Sequence, residues 1–160
     1  QGLRQQRPGG RDVDLVVADQ AEAIFYDLSS LKARPTEVAR MSDPAAHLHD
    51  RDFSSDRPGR SYESVGGARH AIARENDPRQ LEAVRFAKRI SRRLDTARRS
   101  GEFDELIVVA GPAFLGLMRA ELSKPTRARV VHEIRKDLVH GTVEALRRHL
   151  PESREALHPA

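Results

Sequence analysis

Apolar residues fall along this chain in short blocks, and the period of each block predicts what it forms. Asp14-Leu15-Val16-Val17-Ala18 is a β-branched run of the kind that makes a buried strand. Ala23-Ile24-Phe25-Tyr26-Asp27-Leu28 follows just beyond Asp19-Gln20, close enough to pair with it as a hairpin. Pro35 to Met41 alternates more weakly through Val38, Arg40 and Met41, and is a candidate third strand. From Ser42 to Asn76 the periodicity disappears. Unpatterned segments of that length are uncommon inside compact domains and are usually either functional or disordered.

Order returns at Asp77. Asp77-Pro78-Arg79-Gln80 supplies an N-cap, a proline at the first helical position and a glutamine at N3. Leu81, Val84, Ala87, Ile90, Leu94 and Ala97 then recur at three- and four-residue spacing, which predicts one apolar stripe. Gly101 stands where a left-handed C-terminal residue belongs. The opposite face carries Arg85, Lys88, Arg89, Arg92, Arg93 and Arg99, and reads either as a solvated face or as a binding surface. Leu106-Ile107-Val108-Val109-Ala110 is the clearest buried strand, broken by Gly111-Pro112. Phe114, Leu115, Met118 and Leu122 mark a helix expected to end near Lys124-Pro125. Arg129 to Ile134 makes a further strand, and Val143, Leu146 and Leu150 lie on a last helix stopped by Pro151.

The predicted order is β-β-β-α-β-α-β-α: a meander, then strand-helix-strand units that require parallel pairing with right-handed crossovers. An α/β domain with a mixed sheet and flanking helices in this order is the ribonuclease H-like arrangement. We assign residues 1–11 to a flexible tail, 12–150 to one α/β domain with a long basic loop at 42–76, and 151–160 to a C-terminal tail.

Composition narrows the chemistry. A chain of 160 residues fits a single domain able to bury a real core. Its formal charge of +4 is carried by arginine far more than lysine, and the planar guanidinium fork suits phosphate or carboxylate. With no cysteine there is no disulfide framework, thiolate nucleophile or Cys-based zinc site. No apolar run is long enough for a membrane helix, and QGLRQQRPGGRD has no signal-peptide core. The expectation is a cytoplasmic protein without membrane contact.

Four groups of residues bear on function. Asp19 ends the first strand and Asp137, after Lys136, follows the last, so a metal-dependent phosphoester hydrolase is one reading. Against it, the strongest strand ends in Ala110-Gly111-Pro112, with no carboxylate, and Asp19 also suits a turn. His47-Leu48-His49-Asp50-Arg51-Asp52 carries metal-ligating types without a fixed ligand spacing. Gly111 opens a strand-to-helix turn that is either an anion site or a tight turn with close packing at Gly116. Lastly, Ser55 to Ala71, SDRPGRSYESVGGARHA, sets Arg57, Arg60, Arg69 and His70 around Gly66-Gly67. These are donors suited to phosphate beside a backbone that a partner can approach. A disordered loop and a nucleic-acid-facing loop both fit.

Leu15-Val16-Val17-Ala18-Asp19, Asp56-Arg57-Pro58-Gly59-Arg60-Ser61, Arg69-His70, Arg85-Phe86-Ala87, the Leu106 to Leu122 unit and Lys136-Asp137-Leu138 together resemble the bacterial host attachment protein family, from about Val13 to Leu150. That family is similar in turn to the middle domain of archaeo-eukaryotic class I peptide release factors, which implies a ribonuclease H-like fold. In the release factor a Gly-Gly-Gln loop tip promotes peptidyl-tRNA hydrolysis. The corresponding residues here are Gly66-Gly67-Ala68, and an alanine cannot order a water. The resemblance thus implies a non-catalytic domain, without cofactor or metal, that binds ribosomal RNA or tRNA. Arg57, Arg60, Arg69, His70, Arg89 and Arg92 would meet phosphates, Gly66 and Gly67 would give close approach, and Asp19, Gly111, Lys136 and Asp137 would be candidate anion or ligand positions. The family name also carries a role in attachment to host cells, which would be indirect for a protein of this kind.

Overall fold

The computed structural model describes residues 12–46 and 77–157. Five strands form one mixed sheet: β1 (Val13–Ala18), β2 (Glu22–Leu28), β3 (Thr36–Ser42), β4 (Glu105–Ala110) and β5 (Val130–Ile134). Their spatial order is β3-β2-β1-β4-β5. The first three strands form an antiparallel meander, while β4 is parallel to β1, and β5 to β4. Each strand lies within a residue or so of its predicted span.

Both β1 and β4 are buried on every residue, as central strands covered on two faces must be. One face carries Val16, Ala18, Phe25, Leu106 and Val108 beneath α1 (Pro78–Arg99) and α2 (Pro112–Glu121). The other carries Leu15, Val17, Ile24, Ile107 and Val109 beneath Val139, Leu146 and Leu150. A short helix α3 (Lys124–Arg127) leads into β5, and α4 (Val143–His149) and a 3-10 turn (Arg154–Ala156) close the described chain.

The 22-residue α1 begins as its sequence predicts, with the Asp77 carboxylate accepting from the Arg79 amide. It ends in a Schellman arrangement. Gly101 has φ of 74°, its N–H donates to Arg98 O, and the Glu102 N–H donates to Ala97 O. The buried stripe is rotated from the predicted one: Ala83, Phe86, Ala87, Ile90, Ser91 and Leu94 point inward, while Leu81 is 46% exposed. Phe86 sets that rotation by packing fully buried against Phe114, with ring centroids 6.2 Å apart. A ring of that area contributes more to the core than a first-turn leucine.

Two further expectations are corrected. The helix after Gly111 stops at Glu121, and Lys124-Pro125 opens α3 instead, with Ser123 as its N-cap. Proline is tolerated in a first helical turn, where its missing N–H would be unpaired anyway. Gly116 is exposed on α2 with open space where a Cβ would stand, so close packing does not explain it. At the sheet edge, Ala39 pairs with Phe25 and Glu37 with Tyr26. Val38 is left over as a bulge, which accounts for an edge valine that is 52% exposed.

Candidate functional site

Parallel strands end on the same side of a sheet, so the topology gathers the residues that follow them. Asp19 after β1, Asp43 after β3, Gly111 after β4 and Asp137 after β5 share one edge, with Glu22 at the start of β2. Three of the four positions singled out from the sequence for ligand chemistry are therefore brought to one place. An added Cβ on Gly111 would lie 3.6 Å from the Asp137 Cβ. Lys136, the fourth, precedes Asp137 and is exposed.

Asp19 is a turn residue with one oxygen to spare. Its Oδ1 accepts from the amides of Ala21 and Glu22, both at 2.8 Å, which ties the β1–β2 hairpin. Its Oδ2 lies 3.5 Å from His140 Nε2, and the other ring nitrogen of His140 lies 3.6 Å from Glu22 Oε2. Asp43 is 4% exposed. Its Oδ1 accepts from the Ala45 amide, and its Oδ2 is buried without a hydrogen-bond partner among the described residues. Among the described residues no three His, Cys, Asp or Glu side chains converge as a metal ion requires. The arrangement braces a hairpin and does not focus carboxylates on a single point.

His140, Glu22 and Asp43 were not anticipated from the sequence. Once the sheet is known to be mixed, its topology supplies the missing signal. A third meander strand runs parallel to the first, so the residue after it reaches the same edge, as does the loop beyond β5.

Beside this edge, a cavity of about 300 Å3 opens between the N-terminal turns of α1 and α2. Ala83, Phe114 and Leu117 give it an apolar floor, and Gln20, Arg79 and Gln80 a polar rim. Ala46 and Asp77, which flank residues 47–76, both line it. Arg57, Arg60, Gly66, Gly67, Ala68, Arg69 and His70, together with the His47–Asp52 cluster, lie outside the described residues.

The cationic face of α1 is present. Arg85, Lys88, Arg89, Arg92, Arg93 and Arg99 are all exposed. Arg89 lies over the Phe86 ring, 5.4 Å from its centroid, and donates to Ser42 O at 3.4 Å. Arg93 lies 4.9 Å over the Phe25 ring. Those aromatic faces hold the two guanidinium groups without neutralising them. Arg85 pairs with Glu82 at 3.5 Å, whereas Lys88 and Arg92 make no ion pair among the described residues. Arg98, on the neighbouring side, donates to Thr126 Oγ1 at 3.0 Å and is tied into the fold.

Residues 15–150 match the family described as "Protein required for attachment to host cells". The chain belongs to that family. An uncharacterised protein of Rickettsia prowazekii (strain Madrid E) is 27% identical over 144 residues, covering 84% of this chain and 89% of the relative. The matched span of this host attachment family protein takes in β1 from Leu15 onward, the other four strands, α1 and the carboxylate edge. Among the described residues no helix is long and apolar enough to cross a membrane.

Proposed function

We propose that this host attachment family protein is a non-catalytic RNA-binding domain of release-factor-like architecture, docking on ribosomal RNA or tRNA by charge. The observation that carries the reading is the exposed cationic face of α1, where Lys88 and Arg92 face solvent without a carboxylate among the described residues. Phosphate contacts of this kind supply most of the affinity of sequence-independent nucleic-acid binding. The strand order β3-β2-β1-β4-β5, with β2 reversed, supports the ribonuclease H-like fold that the resemblance implies. In this reading Arg57, Arg60, Arg69 and His70 add phosphate contacts around Gly66-Gly67, and Ala68 replaces the side chain that hydrolysis needs.

Co-sedimentation of the purified chain with ribosomes, repeated with Arg57→Ala/Arg60→Ala, tests the reading. Binding that weakens steeply with salt and drops in the double variant is expected. A chain that stays in the supernatant at low salt overturns the proposal. Unchanged binding by the double variant removes the loop from it.

The family description favours a second reading, in which the protein supports attachment to host cells through an effect on other components. Fractionation of cells separates direct from indirect action, since a pool confined to the cytosol is at odds with direct adhesion.

A further inference from the structure

The α1 face has a feature that narrows the class of RNA. Among the described residues every Phe and Tyr ring is buried, with Phe25, Tyr26, Phe86, Phe103 and Phe114 all 7% exposed or less. The exposed imidazoles of His140 and His149 lie beyond β5 and not on α1. Proteins that hold single strands generally stack bases on exposed aromatic side chains, which contributes about 1–3 kcal/mol per base. Among the described residues this face has no such platform, because the rings that approach it, Phe25 and Phe86, lie beneath the guanidinium groups of Arg93 and Arg89.

What the face does have is a row of charge along one helix, part of it held in place. From Arg85 to Arg99 is 14 steps along one helix, or about 21 Å at 1.5 Å per residue. Arg89 is held by Phe86 and Ser42 O, and Arg93 by Phe25, so part of the row is fixed before any partner arrives. A flexible strand must lose conformational freedom to follow a rigid row, and no exposed Phe or Tyr ring among the described residues offsets that loss. An A-form duplex already holds its phosphates on a rigid lattice, and such duplexes are recognised by shape and backbone.

We infer that the α1 face binds the phosphate backbone of double-stranded RNA, independently of sequence, and discriminates against single strands. This rests on the RNA-binding reading above and specifies its ligand.

Fluorescence anisotropy of the whole chain tests it, using a labelled RNA hairpin, a second hairpin of different sequence and an unstructured strand of equal length. Wild type should bind both hairpins alike and the single strand at least tenfold more weakly. Lys88→Gln/Arg92→Gln removes the two charges that hold nothing else in the fold. If each meets one phosphate, and each contact contributes about 0.9 to the salt slope, the affinity loss from 50 to 200 mM salt should be about tenfold smaller in this variant. An unchanged circular-dichroism melt shows that the variant is folded. Equal or tighter binding of the single strand overturns this inference and leaves the RNA-binding reading standing, whereas a salt slope that the variant does not change overturns the inference and removes the α1 face from that reading as well. No binding of any RNA by wild type overturns both.

Discussion

Replacing Asp95 by alanine should weaken the link between the C-terminal half of α1 and the α2–β5 connection, leaving only the Arg98 to Thr126 hydrogen bond of that cluster. The Asp95 carboxylate accepts from Ser123 Oγ at 2.6 Å and from the Thr126 hydroxyl, with Arg98 Nη2 3.7 Å away. Thr126 is fully buried, so its hydroxyl cannot turn to water for a new acceptor. Hydrogen bonds to a charged group contribute about 1.5–3 kcal/mol each; two at the lower end put the loss near 3 kcal/mol. In a domain of this size that corresponds to a fall in Tm of about 6–12 °C. Asp95→Asn keeps an acceptor oxygen and should fall by about half as much. The acid limb gives a second check. Burial pushes the Asp95 carboxyl up, but the Ser123 and Thr126 hydrogen bonds, with the Arg98 and Arg99 charges, outweigh it and hold the group below its usual range. A depressed carboxylate stabilises the fold above its unfolded value, about 3.9 for aspartate, and loses that contribution as pH falls through the lower folded value. The difference in Tm between wild type and Asp95→Asn should therefore be full near neutrality and shrink below about pH 4. A loss under about 2 °C for the alanine variant, or a difference that persists at low pH, refutes the reasoning.

Other consequences are checked by thermal or urea denaturation. Gly101→Ala should cost about 1–2 kcal/mol, because φ of 74° places a Cβ in the left-handed region. Gly111→Ala should be nearly neutral, since the added Cβ would make ordinary contact at 3.6 Å with Asp137. Equal effects at the two glycines would contradict the account of the α1 terminus. Phe86→Ala should cost about 3–5 kcal/mol and loosen Arg89 with it, whereas Leu81→Ala should cost well under 1 kcal/mol because Leu81 is exposed.

Much of the fold was legible because its signals are local. The Leu-Val-Val and Ile-Val-Val runs make central strands, Asp77-Pro78 opens α1, and Gly101 closes it. The rotation of α1 was not legible, since Phe86 faces inward only because Phe114, 28 residues away, is there to meet it. The edge cluster needed tertiary information too. His140 reaches Asp19 and Glu22 only once β5 has been laid beside β4. The bulge that exposes Val38 follows from a register that no single strand encodes. Arg85 to Arg99, by contrast, could be read directly, because Arg and Lys side chains are almost never fully buried and stay outward when the apolar stripe turns by a residue.

The central claim is that RNA meets this protein on the outer face of α1. Ultraviolet cross-linking of RNA to the protein in cells, followed by mass spectrometry of the cross-linked peptides, reads the contact directly. The account predicts nucleotide adducts on peptides within residues 85–99, reduced in Lys88→Gln/Arg92→Gln. Adducts confined to other parts of the chain, or none above the level of an unrelated basic protein, would contradict it.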